Sequence, residues 1–73
     1  MPTVPLLSGR EITKALAKLG YYEVRRHSSH IRLSCQGRRS VTVPDYKLIG
    51  HGLLRKILRD AELSPVEFSK LLD

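Results

Sequence analysis

Residues 30 to 43 alternate. Ile31, Leu33 and Cys35 fall on one parity, and His30, Arg32 and Ser34 on the other. Beyond Gln36-Gly37-Arg38 the pattern resumes, with Val41 and Val43 set against Ser40 and Thr42. Successive side chains of an extended strand point to opposite faces. The pattern therefore dictates two antiparallel strands sharing one apolar and one polar face. The Gly37 turn separates them and Pro44 ends the second. Such a segment must find a cover for its apolar face and leaves its polar face to water or to a partner.

The flanking sequence supplies the cover. Ser8 and Glu11 are spaced as a capping box, and Ile12, Ala15, Leu16 and Leu19 follow at helical spacing until Gly20. Arg10, Lys14 and Lys18 fall on the wet side of that helix. Tyr21 to Arg26 reads as a first strand, with Tyr22, Val24 and Arg26 on one side and Tyr21, Glu23 and Arg25 on the other. His27, Ser28 and Ser29 form the turn into a second strand from about His30 to Cys35, and the third runs from Arg39 to Val43. Tyr46 to Gly52 is a connecting loop. The helix after it carries Leu53, Leu54, Ile57, Leu58 and Ala61 on one face and Arg55, Lys56 and Arg59 on the other. Ser64-Pro65-Val66-Glu67 repeats a helix-start signature before Phe68, Leu71 and Leu72. The expected fold is α+β, a three-stranded antiparallel sheet with helices packed on one face and a short extra C-terminal helix. Residues 1 to 7, with Pro2 and Pro5, read as a flexible N-terminal arm. Residues 8 to 73 read as one domain, too small for a second core.

Thirteen Lys and Arg face seven Asp and Glu, a formal net charge of +6. A basic surface attracts phosphate backbones, and RNA is the first choice of partner. Charge alone leaves DNA, acidic proteins, anionic membranes and a merely solvated surface open. No apolar run approaches the roughly 20 residues of a membrane helix. Met1-Pro2-Thr3-Val4-Pro5 has neither the basic nor the apolar region of a signal peptide, so a cytoplasmic protein is expected. The single cysteine, Cys35, forms no internal disulfide and reads as a core residue.

The chemistry available is narrow. The sequence has no glycine-rich phosphate loop, no zinc-binding histidine pair on a helix and no Ser-His-Asp set, and its carboxylates are scattered. Histidine and cationic side chains remain. His30 opens the second strand on its polar parity. Imidazole titrates near ~6.5, which suits proton transfer at neutral pH. RNA carries its own nucleophile, the 2′-hydroxyl, and an imidazole beside it acts as general base or acid. Arg32 shares the face of His30, and Arg25 lies across the hairpin; either offsets charge on a pentavalent phosphorane. An ordinary exposed sheet histidine is the plain alternative. His27 reads as a solvated or structural residue at the turn, and Ser28 and Ser29 as turn residues rather than nucleophiles. Arg55 and Lys56 either track phosphates or form the wet face of a helix. Two further classes stay open: a non-catalytic RNA-binding module, and a protein-interaction domain that docks an acidic partner.

Several runs also match a known pattern. They are Leu19-Gly20-Tyr21, Arg25-Arg26-His27-Ser28-Ser29-His30, Val41-Thr42-Val43-Pro44, Gly52 to Ala61, and the Ser64-Pro65-x-Glu67-Phe68 close. In this order and spacing, from Leu7 onward, the chain resembles the HicA (YcfA-like) toxins of bacterial HicAB toxin–antitoxin systems. The resemblance implies an α-β-β-β-α fold like that of double-stranded-RNA-binding domains. It implies a ribosome-independent mRNA interferase, an endoribonuclease working without metal or cofactor, held in check by a HicB-type antitoxin. The family histidine of Gly-Ser-His falls on His30, preceded by Ser29. Around it, Arg25, Arg26, Arg32, Lys47, Arg55 and Lys56 are expected to hold RNA with Ser29. The chain departs from the family at two places. Ser28 stands where glycine is usual, and His51-Gly52-Leu53 where Lys-Gly-Thr is usual.

Overall fold

The computed structural model describes residues 6–72. Six elements follow in order: α1 (Gly9–Ala17), β1 (Tyr22–His27), β2 (His30–Cys35), β3 (Arg38–Pro44), α2 (His51–Asp60) and α3 (Pro65–Ser69). The strands form one antiparallel sheet in the order β1-β2-β3. This is the expected α+β architecture, with α1 and α2 both packed against β3.

Local chemistry sets the helix starts. The Ser8 hydroxyl accepts from the Glu11 N–H, and the Glu11 carboxylate accepts from the Ser8 N–H, at 3.1 and 2.9 Å. Ser64 and Glu67 repeat the same reciprocal pair at 3.1 and 2.9 Å, with Pro65 at the first helical position. Each box satisfies two of the N–H groups that a helix start leaves without partners. At the other end of α2, Arg38 reaches over from β3 and donates to the Ala61 carbonyl at 2.9 Å. A cation there also suits the negative end of the helix dipole.

The core lies between the helices and the far side of β2 and β3. Ile12, Ala15 and Leu16 of α1 meet Ile31, Leu33, Val41 and Val43 of the sheet and Leu54, Ile57 and Leu58 of α2. Phe68 on α3 closes one end and is fully buried. The alternation that defines β2 and β3 is obeyed, since Ile31, Leu33, Cys35, Val41 and Val43 are all buried while His30, Arg32 and Ser40 are exposed.

The structure corrects four details. Leu53, expected on the inward face of α2, is 37% exposed, because the buried stripe there needs only Leu54, Ile57, Leu58 and Ala61. The connecting loop supplies a core residue instead. Ile49 is buried, and its N–H donates to the Leu7 carbonyl at 2.7 Å. Of the arm expected over residues 1 to 7, the first five lie outside the described residues; Leu6 is exposed, and Leu7 is buried against Ile49. Gly9 is required by close contact. A methyl group there would run into the Pro44 carbonyl oxygen, and the Gly9 N–H donates to the Tyr46 carbonyl at 2.9 Å.

The fourth correction concerns β1, where none of the six residues is buried. Its register slips between Glu23 and Arg25, so Val24 bulges. A bulge adds a residue to one strand and reverses the parity beyond it. Tyr22 faces Ser34, Arg25 faces Arg32 and His27 faces His30, whereas Glu23 and Arg26 sit opposite the core residues Leu33 and Ile31. The expected grouping of Tyr22 with Arg26 and of Glu23 with Arg25 is thereby exchanged. Tyr21, before the strand, is buried and donates its hydroxyl to the Arg39 carbonyl at 2.7 Å. Burial, with Cys35 close by as a smaller cause, raises the Tyr21 phenol above its ordinary value.

Candidate nucleic-acid interface

The polar face of the sheet carries no helix, and near the first hairpin it forms an open depression of about 420 Å³. Its lining is Arg25, His27, His30, Arg32 and Thr42. These five come from all three strands. β1 gives Arg25 and His27, β2 gives His30 and Arg32, and β3 gives Thr42.

Pairing explains why they converge. His27 and His30 are ladder partners that close the two-residue Ser28-Ser29 turn. Arg25 and Arg32 form the next pair on that face, and Thr42 pairs with Arg32 from the other side. Directly opposed residues hold their Cβ atoms about 4.5–5.5 Å apart. Two imidazoles and two guanidinium groups are thus held within one patch by backbone pairing alone. The Arg32 guanidinium donates to the Thr42 hydroxyl at 2.9 Å, which fixes its reach across the face. No carboxylate lines the depression. Like charges this close favour an anion with several oxygens between them.

Ser28 makes the turn with φ of +57°, while Ser29 is not in the left-handed region. Left-handed φ at the first central position alone is the signature of a II′ hairpin turn, in which glycine is usual there. Ser29 is half-buried, and its carbonyl accepts from the Asp45 N–H at 2.6 Å. The turn is therefore tied to the end of β3.

The remaining basic residues assigned to RNA lie elsewhere. Arg26 faces the helix side, opposite Ile31, where it meets Asp45 at 2.9 Å and Glu23 at 3.5 Å. Arg10 reaches the same Asp45 carboxylate at 3.5 Å. The Arg26 hydrogen bond is the main reason that the Asp45 carboxyl is held below its ordinary range. The same bond holds the Arg26 guanidinium above its ordinary value. Lys47 is exposed in the loop after β3. Arg55 and Lys56 are exposed on α2, in the helix layer behind the sheet. Geometry thus joins His30 with Arg25 and Arg32 and separates it from Arg26, Arg55 and Lys56.

His27, expected as a peripheral turn residue, lies opposite His30 in the structure. The signal is present in the sequence. Two histidines flanking a two-residue turn are cross-strand neighbours by necessity. Thr42 falls on the polar parity, but its tie to Arg32 needs the β2–β3 register, which the irregularity between Leu33 and Cys35 obscures.

Among the described residues there is no cluster of three or more His, Cys, Asp or Glu able to hold a metal ion. Among them, no helix is long and apolar enough to cross a membrane. A family model described as HicA toxin of bacterial toxin–antitoxin matches residues 9–63. No curated protein and no solved structure matches the chain.

Proposed function

The chain belongs to the HicA toxin family of bacterial toxin–antitoxin systems, and we propose that it acts as an endoribonuclease on mRNA, with His30 as a general acid or base. The observation that carries this reading is the depression on the uncovered sheet face. It joins His30 to two guanidinium groups and no carboxylate. A phosphodiester seated there has Arg25 and Arg32 on its non-bridging oxygens and an imidazole beside its 2′-hydroxyl or leaving oxygen. Cations placed where charge develops stabilise the phosphorane, and a positioned imidazole contributes typically 10²–10⁴-fold. Lys47, Arg55 and Lys56 serve as outlying phosphate contacts rather than parts of the reacting centre. The partner that restrains the toxin is taken to be a HicB-type antitoxin, and the site of action the cytoplasm, in line with the family.

The test is cleavage of a long mRNA in EDTA by the parent chain and by His30→Ala. Fragments from the parent and a loss of about 10²-fold or more in the variant are expected. His30 is exposed, so the variant should keep its circular dichroism spectrum and melting temperature. Intact RNA with a folded parent would sink the nuclease reading and favour a binding module. That module would hold RNA with a steep salt dependence whether or not His30 is present.

A further inference from the structure

We infer that His27 is a second proton-transfer group of the same site, so that the chain carries a general acid and a general base on opposite strands of one hairpin. The inference rests on the nuclease reading above and adds a residue to it.

His27 and His30 are Cα partners at the end of the β1–β2 ladder, both exposed and both lining the same depression. While the hairpin is paired, the two-residue turn holds them side by side. Direct cross-strand neighbours have Cβ atoms about 4.5–5.5 Å apart. Their imidazoles line the same depression as Arg25 and Arg32. A phosphodiester spans a similar width between its 2′-hydroxyl and its 5′-oxygen. Cleavage by the neighbouring hydroxyl needs a proton removed at one of these positions and a proton supplied at the other. A single imidazole must do both in turn or leave one to water.

The step balances with the pair. One neutral imidazole takes the proton of the 2′-hydroxyl as the O2′–P bond forms. The P–O5′ bond breaks, its electron pair stays on O5′, and the protonated imidazole delivers its proton there. The products are a 2′,3′-cyclic phosphate and a free 5′-hydroxyl, and one proton has passed from one histidine to the other. The step requires one proton shared between the two imidazoles, one serving as base and the other as acid. The charged groups that face His27 are Arg25 on its own strand and His30 and Arg32 on β2. The acids Glu23 and Asp45 are engaged by Arg26 on the other side. No other histidine lines this depression.

The experiment measures pH–rate profiles for the full chain, His27→Ala, His27→Gln and His30→Ala. The substrate is a short RNA with one cleavable bond, used with oxygen and then with sulfur at the bridging 5′ position. Sulfur leaves without protonation and so removes the need for an acid. The parent should give a bell-shaped kcat profile. Each His27 variant should lose one limb of it and fall by about 10²-fold or more in kcat. Sulfur should restore whichever of His27→Ala and His30→Ala has lost the acid, and not the other. A His27 variant that keeps both limbs, or that changes KM alone, overturns the inference and makes His27 a phosphate contact at most. Restoration of neither variant also overturns it. A parent that does not cleave, or a His30→Ala variant as active as the parent, instead removes the nuclease reading on which it rests.

Discussion

Ser28 holds a left-handed φ of +57° between the two histidines. For a residue with a Cβ this conformation costs roughly 1–2 kcal/mol, a cost glycine escapes. Glycine, the residue expected here from the resemblance, is the one such a turn favours. Replacing Ser28 with glycine removes that strain and adds some unfolded-state entropy. Ser28→Gly is expected to stabilise the chain by about 1 kcal/mol. For a domain of this size that raises the melting temperature by roughly 4–8 °C. Thermal unfolding followed by circular dichroism checks it, and an unchanged or lower midpoint would show that the turn carries no such strain. His30, Arg32 and Arg25 are legible in the sequence as a constellation, because alternation fixes β2 and a short turn fixes its partner. The sides taken by Tyr22 and Glu23 are not, because they depend on a bulge at Val24 that no local pattern announces.

Elements meet most tightly where α1 begins. The backbone of Gly9 lies against the Pro44 carbonyl, and Pro44 is the ladder partner of His30 on β3. A side chain at position 9 must push the start of α1 away from the end of β3 and weaken the Gly9 to Tyr46 hydrogen bond of 2.9 Å. Backbone cannot yield as a flexible side chain does. Gly9→Ala should therefore cost about 1–3 kcal/mol, the usual range for overpacking, measured by urea denaturation. An equal or greater stability than the parent would mean that helix and strand can separate freely. The starts of α1 and α3 are readable because capping boxes are local, and both lie where Ser8 and Ser64 put them, whereas α2 has no side-chain cap and begins at His51, inside the expected loop. Core membership is readable on α1, β2 and β3 by period alone. Period fails where tertiary packing decides. Leu53 lies on the margin of its stripe, and Ile49 sits in a loop with no period at all.

At the scale of the molecule, the positive charge is spread over two layers. Arg25 and Arg32 lie on the open sheet face, while Arg55 and Lys56 lie on the exposed side of α2. An RNA strand in the depression reaches the first pair directly and the second only by rounding an edge. Neutralising Arg55 and Lys56 together should then lower affinity for long RNA and flatten its salt dependence. The log–log slope should fall by about 0.7 for each phosphate that is no longer neutralised. Cleavage of a short substrate at low salt should stay within a few-fold of the parent. Binding measured between low and moderate salt, alongside the short-substrate rate, checks both halves. A large drop in rate on the short substrate would place α2 at the reacting centre.

The unburied β1 strand has a consequence for how the site endures. Its side chains contribute nothing to the core, so the strand is held by its ladder, the Tyr21 anchor and the Arg26 contacts. Detaching it withdraws none of its own six side chains from the core, and strands held with few buried apolar contacts open locally more readily than core strands. Each opening carries His27 and Arg25 off His30 and Arg32 and disperses the cluster while the fold persists. A ligand that bridges β1 and β2 binds only the closed form, so its affinity and the closure of the hairpin are one linked equilibrium. Whatever occupies the depression, substrate or antitoxin, also serves as the missing clamp on that strand.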